Sequence, residues 1–420
     1  MMQQINKRVV VLGGGLAGLA AAFQLVQRFK VTVIDKNRYL GGLASSFQYK
    51  GKPVPVHYHH VFSHDEITKR HLRYFNLDSS MVWQKIKMKI AVNGRIYNFT
   101  RPTALLKFDF LSLSARIRYG LFGAYVFTFM NPEKIPDDLD AEQWLKKYAG
   151  KEVSNKLFYQ LYARNKFGIP LSEISAKQFA HRLKAKEALG YFGYPVQGLQ
   201  KMIDGLETNI KKNGGEIITG YKIKHIDLNH KTIDNKIDYD ILINTIPMPE
   251  FLHVASNLPK NYRKKISKIK YCPAVTVVIG TTQFLGEQYW LNILNEKAQM
   301  LMQHSRLYDG YDVKISWILR YGGAEDDLEL SDEEIKTAYL ETIKRYFPQV
   351  EIVWSKVFRE PYASPIYDKH YPGKMPPYKT EVDGLYNAGV AVTYPKIRNM
   401  NTALESGEKV ADIICKDYLH

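Results

Sequence analysis

Residues 8–35 read RVVVLGGGLAGLAAAFQLVQRFKVTVID. Residues 9–12 are a short apolar run of mostly β-branched side chains. Gly13, Gly15 and Gly18 follow at G-x-G-x-x-G spacing. Residues 16–26 carry helical apolar periodicity with no breaker after Gly18, and residues 31–34 are a second buried-strand run closed by Asp35. The three glycines have separate tasks. Gly13 permits the tight turn out of the strand, Gly15 lets backbone approach a pyrophosphate, and Gly18 lets the helix pack closely on the sheet. The helix N-terminus then presents free N–H groups and a positive dipole end to phosphates. Asp35, at the tip of the second strand, can accept hydrogen bonds from both hydroxyls of a ribose, and its charge disfavours a 2′-phosphate. The stretch predicts a dinucleotide site built from Gly13, Gly14, Gly15, Leu16, Ala17, Gly18, Asp35 and Lys36.

The chain of 420 residues exceeds one ordinary domain, and 45% hydrophobic content makes it globular. A formal charge of +17 suits nucleic acid, an anionic membrane surface, an acidic substrate, or simply a lysine-rich background. The basic residues are scattered and no nucleic-acid module is present, so no nucleic-acid partner is expected. Two cysteines, Cys272 and Cys415, provide neither a disulfide framework nor metal-ligand spacing. A first strand at about residue 8 leaves no room for a signal peptide, and no apolar run approaches the ~20 residues that span a bilayer. The expected location is cytoplasmic, which makes the sequon Asn98-Phe99-Thr100 accidental.

After Asp35 the chain reads KNRYLGGLASSF, with Arg38 followed by the doublet Gly41-Gly42 and Leu43. A glycine-rich first turn, an acid ending the second strand and then Arg-x-x-Gly-Gly resembles the flavoprotein superfamily of amine oxidases, protoporphyrinogen oxidases and phytoene desaturases. The resemblance implies that the second glycine pair lies against the pyrophosphate of FAD, and moves the expected nucleotide from NAD to FAD. Next come His57, His59, His60 and His64. By composition they could be a metal cluster, but their spacing fits no zinc pattern, and a solvated loop is the plain alternative. The stretch also resembles a segment of UDP-galactopyranose mutase, which implies that His60-Val61-Phe62 faces the isoalloxazine ring.

Residues 83–99 read as strands with Asn93-Gly94 as a hairpin turn, opening a separate substrate domain. Residues 101–190 read as mainly helical. Within them 119–130 (YGLFGAYVFTFM) is the most apolar window, either a core helix or a face that dips into one leaflet or guides an oily substrate. Residues 161–175 resemble a family segment before the helix covering the substrate cavity, and carry Arg164 and Lys166, whose plain reading is surface charge. GYPVQGLQ at 193–200 resembles the family turn that returns the chain to the FAD domain, with Gln197 in place of one glycine. In the strands beyond it, the resemblance places Lys222 or Ile223 beside adenine through their backbone. Residues 240–247 match the strand that closes the nucleotide sheet. Residues 248–353 read as strand runs with one helix that Ser331 caps and Glu334 completes as a capping box, suggesting a sheet roofing a substrate cavity. Tyr362 and Tyr367 are read as an aromatic wall or as core.

The last segment, LYNAGVAVTYPKIRNMNTALESGEKVADII, resembles the C-terminal FAD motif. It implies that Gly389 and Val390 approach the cofactor and that the amide of Met400 or Asn401, at a helix start, meets the flavin's pyrimidine end. Val390 stands where the family usually has Asp. The expected fold is α/β: a discontinuous Rossmann-like FAD-binding domain of the glutathione-reductase-like type with an inserted α+β substrate domain. The expected boundaries are FAD-binding 1–80, 193–250 and 356–420, and substrate domain 81–192 and 251–355. The expected activity is FAD-dependent hydride removal from a C–N or C–C bond of a bulky, partly apolar small molecule. His60, then Arg164 and Lys166, are the candidate catalytic groups. The alternatives are a flavin-dependent mutase acting on a nucleotide-linked sugar and a flavin-binding protein without turnover.

Overall fold

The computed structural model describes residues 5–98, 102–185 and 190–419. Phe99 and Thr100 of the sequon lie outside them.

Arg8–Leu12 and Lys30–Asp35 pair in parallel, and their valines and isoleucine are buried because helices cover one face of the sheet and a small four-stranded sheet with the helices Met248–Val254 and Lys260–Ile266 covers the other. The Leu16–Leu25 helix between them has apolar residues all round. That pattern suits a helix sandwiched between the sheet and the C-terminal helix, Met400–Leu419, with no water-facing side to mark. The two helices touch closely: a Cβ on Gly407 would stand 2.2 Å from the Ala17 carbonyl oxygen.

The parallel sheet has five strands in the order Glu216–Thr219, Lys30–Asp35, Arg8–Leu12, Ile241–Asn244, Leu385–Asn387. The chain therefore visits this sheet three times, as expected of a discontinuous Rossmann-like domain. One detail is corrected. Ile241–Asn244 does not close the sheet; it is buried between Arg8–Leu12 and Leu385–Asn387, and the last visit supplies the edge.

A second sheet of seven strands runs in the order Ile352–Pro365, Tyr271–Thr281, Lys314–Arg320, Met300–Gln303, Trp290–Ile293, Met88–Val92, Arg95–Asn98. The hairpin at Asn93-Gly94 has both residues at positive φ (51° and 74°), as its twist demands, and it docks on Trp290–Ile293. The Ser331 capping box forms as read and starts the helix Asp332–Tyr346. Two strands of this sheet escaped the reading. Met300–Gln303 is a continuous apolar run without alternation, and Ile352–Pro365 is a 14-residue strand interrupted by charge. Helices Leu113–Thr128, Ala141–Tyr148, Val153–Phe167 and Ala176–Lys184 form the helical layer.

Leu113–Thr128 settles half of the question about the apolar window. Phe122 and Val126 are core, whereas Leu113, Ile117 and Leu121, four residues apart, share an exposed face at 59%, 55% and 67% accessibility.

Candidate active site

A cavity of about 1290 Å³ opens between the parallel sheet and the seven-stranded sheet. It exceeds the ~300–1,000 Å³ of a site for a single drug-sized ligand.

One end is built on the first glycine turn. Gly15 is the N-cap of Leu16–Leu25 and offers no side chain to its first-turn amides. Gly41 donates its N–H to the Gly14 carbonyl at 2.8 Å, which brings the second glycine pair over the first. A Cβ on Gly42 would lie 3.2 Å from the Gly15 Cα, so two bare backbones meet side by side in one wall of the cavity. Asp35 Oδ2 accepts from the Gly14 N–H and Oδ1 from the Asn37 N–H, both at 2.7 Å, so the acid also holds the turn. Burial raises its pKa against these two amides, which lower it. Lys36 pairs with Glu250 at 2.6 Å, and burial raises the pKa of Glu360 beside them.

Most of the predicted contact set lines this cavity: Gly13, Gly15, Leu16, Ala17, Asp35, Lys36, Arg38, Gly41, Gly42, Leu43, Lys222, Ile223, Gly389, Val390 and Met400. Three do not. Gly14 faces Leu40 and serves through its amide to Asp35. Gly18 packs beneath the turn, where a Cβ would stand 2.0 Å from the Gly13 carbonyl oxygen. The Asn401 side chain turns away and accepts from the Thr68 N–H at 3.1 Å. The amides of Met400 and Asn401 precede the first intrahelical bond, Ala403 N–H to the Asn399 carbonyl, and so stand at the positive end of the C-terminal helix. The carbonyl of Val390 accepts from the hydroxyls of Tyr367 and Thr393, which fixes the backbone where an Asp was expected. Tyr367 thus supports the wall from behind, while Tyr362 lines it.

The other end is aromatic and basic, with Tyr58, Trp290, Tyr321, Lys166, Arg182 and Arg398. Lys166 sits over the Trp290 ring at 5.0 Å and the Tyr162 ring at 5.4 Å. Arg164 does not line the cavity. Residues two apart on a helix face opposite ways, and Arg164 donates to the Glu296 carbonyl at 2.8 Å instead.

The histidines are spent separately. His57 Nδ1 meets Thr276 Oγ1 at 2.8 Å, His59 Nδ1 meets the His57 carbonyl at 3.0 Å, and His60 Nδ1 meets Tyr289 Oη at 3.0 Å. His60 stacks on Phe192 with centroids 4.1 Å apart. Burial drives the pKa of His57 and His60 down to about 3 and that of His59 to about 4. His60 is therefore a neutral aromatic surface in the cavity wall and a weak base at pH 7.

Residues 16–415 match the family of flavin containing amine oxidoreductases. The chain belongs to this family. Among solved structures, a protein assigned as a protoporphyrinogen oxidase from Exiguobacterium sp. 255-15 superposes with TM-score 0.79 at 16% identity, covering 99% of this chain and 100% of that one. Reduced UDP-galactopyranose mutase gives 0.78 at 15%, covering 99% and 95%. Putrescine oxidase bound to putrescine gives 0.71 at 15%, covering 99% and 100%. At such identities these likenesses concern the fold. An uncharacterised protein of Methanocaldococcus jannaschii is 24% identical over 246 residues, 57% of this chain, and the match spans 58% of that relative's length.

This flavin amine oxidoreductase takes FAD as its cofactor, and the cradle fits it. The adjacent glycines leave no side chain where a pyrophosphate would lie, the uncapped amides of Leu16–Leu25 await an anion, and Asp35 sits where a ribose would end. The sequence signals missed Thr245, Glu250 and Glu360 around the cradle and Arg182 and Arg398 at the far end. None belongs to a spacing motif. Thr245, within the strand segment 240–247, and Arg398, two residues before Met400, lay inside named segments.

Proposed function

We propose that the enzyme removes a hydride from a C–N or C–C bond of a bulky, partly apolar small molecule. The observation that carries this is the continuity of one cavity, in which the glycine cradle opens into a compartment walled by Tyr58, Trp290, Tyr321 and Tyr362. FAD, when bound, supplies the hydride acceptor. The protein's own groups do the rest. The aromatic walls exclude water and orient an apolar substrate. The start of the Met400–Leu419 helix stabilises negative charge that develops at its end of the cavity. Lys166 is the polar group we assign to substrate contact, held in place by Trp290. His60 contributes a neutral ring that packs and can donate or accept one hydrogen bond. Anaerobic bleaching of the yellow protein by candidate amines, porphyrinogens or polyenes tests the reading. Activity on a nucleotide sugar only after dithionite reduction would overturn it in favour of mutase chemistry. That second reading is favoured by the placement of His60 and Phe62 in the cavity wall and by the basic far end.

We further assign the nucleotide-binding part to residues 1–80, 193–250 and 366–420 and the substrate part to 81–192 and 251–365; the expected boundary at 355/356 is moved because it falls inside the strand Ile352–Pro365 of the seven-stranded sheet. No helix among the described residues is long and apolar enough to cross a membrane. The exposed face of Leu113, Ile117 and Leu121, with exposed Leu106 and Phe129 and the cations Lys107 and Arg118, is instead proposed to rest on an anionic leaflet.

A further inference from the structure

The cavity's lining carboxylates among the described residues, Asp35, Glu250 and Glu360, all lie at the cradle end, interspersed with Lys36, Arg38, Lys222, Lys224 and Arg359. The far end carries the cations Lys166, Arg182 and Arg398, with no lining carboxylate among the described residues.

Arg398 is the informative group. Its side chain is half-buried in the cavity wall, and its guanidinium lies 5.0 Å from the Phe167 ring and 5.1 Å from the Tyr367 ring. One N–H donates to the Pro365 carbonyl. A guanidinium has five such donors in a rigid fork. The groups that act on it most are Tyr367, Arg182, Cys272 and Tyr371. Asp368, the buried carboxylate beside Tyr371, is already paired with Lys374. Glu325, the acid that reaches Cys272, is exposed and outside the cavity wall. A partly desolvated cation beside a second cation favours an anion as the third member of the site. The cavity is the open direction from which one can arrive.

Building on the flavin oxidoreductase reading above, we propose that the Arg398 guanidinium, with Arg182 and Lys166 beside it, binds an anionic group of the substrate, a carboxylate or a phosphate. The apolar body of that substrate lies against Tyr58, Trp290 and Tyr321. An amine cation would be repelled from this end, so simple mono- and diamines are not the substrates, whatever other members of the family oxidise.

The test uses the FAD-loaded protein, with flavin content measured first by release on denaturation. Absence of FAD from the parent would refute the flavin reading by itself. The holoprotein is then titrated with benzoate and with pyrophosphate as anionic probes and with benzylamine and putrescine as cationic ones, following the flavin absorption spectrum. At least one anion should perturb the spectrum saturably, and the amines should not. Arg398→Gln should weaken the anion at least about thirtyfold, with Arg398→Lys recovering part of the loss. Arg182→Gln, farther from the C-terminal helix, should weaken it with FAD content unchanged. The proposal is overturned if the amines alone perturb the spectrum, if neither anion does, or if Arg398→Gln binds the anion as tightly as the parent. It is also overturned if Arg398→Gln releases FAD while Arg182→Gln keeps full anion affinity, which would make Arg398 a cofactor ligand.

Discussion

Gly15 and Gly18 belong to one motif, yet alanine should damage the protein in opposite ways. Gly15 has φ −74° and ψ 176°, a conformation alanine adopts freely, and its added Cβ would meet nothing closer than the Gly42 Cα at 4.0 Å. In the protein without cofactor, Gly15→Ala should change stability by no more than about 0.5 kcal/mol. The methyl would point into the space where the pyrophosphate must approach. A clash of roughly 1–3 kcal/mol there corresponds to about 5- to 150-fold weaker FAD binding. At Gly18 the added Cβ would stand 2.0 Å from the Gly13 carbonyl oxygen and 3.1 Å from Val11 Cγ1. Neither atom is the end of a flexible chain, so the helix must move off the strand. A cost of about 3 kcal/mol, at roughly 2–4 °C per kcal/mol, lowers the melting temperature by roughly 6–12 °C. Thermal melts of flavin-stripped protein and FAD titration by fluorescence quenching read the two effects separately. Parental FAD affinity in Gly15→Ala would refute the assignment of that backbone to the cofactor. An unchanged melt in Gly18→Ala would refute the packing argument.

Acid should destabilise the fold through its buried histidines. Burial holds the pKa of His57, His60 and His304 at about 3, below the ~6.5 of an unfolded chain. Between those values the unfolded state binds more protons, so stability rises with pH across the window and is lost as pH falls below about 6.5. From pH 7 to 5 the loss is about 2 kcal/mol per histidine. Both ring nitrogens of His304 lack hydrogen-bond partners in its aromatic nest, so His304→Phe should flatten the slope of unfolding free energy between pH 5 and 7 by about that amount; an unchanged slope contradicts the account. On the leaflet-facing helix, Ile117→Glu with Leu121→Glu should abolish flotation with phosphatidylserine vesicles and leave the melt unchanged. Phe122→Glu should instead unfold the helical layer, because Phe122 is 3% exposed. A parent protein that does not float with such vesicles would remove the proposed contact.

What the sequence made legible follows from where local chemistry is obligatory. The first strand, glycine turn, helix and acid were readable because each residue's task is met inside one strand–helix–strand unit: Gly18 must clear the Gly13 carbonyl, and Asp35, at the end of the second strand, must reach the turn it holds. Arg38 with Gly41-Gly42 added the second backbone, and the structure brings it to within van der Waals reach of the first. The order of the sheet was less readable. Ile241–Asn244 looks the same whether it is an edge or an interior strand, since its neighbour Leu385–Asn387 arrives some 140 residues later. The far end of the cavity was least legible, for the same reason carried further. Lys166, Arg182 and Arg398 come from three separate segments, and nothing local to any of them requires a cation. Arg164 shows the hazard from the other side: two positions from Lys166 and equally basic, it is turned by the helix onto the Glu296 carbonyl, away from the cavity. Cofactor binding in this fold is imposed by backbone and so is written as spacing. Substrate choice is imposed by side chains that only the tertiary fold assembles, which is why the cations gathered at the far end of the cavity, rather than any motif, are the feature that speaks to what the enzyme oxidises.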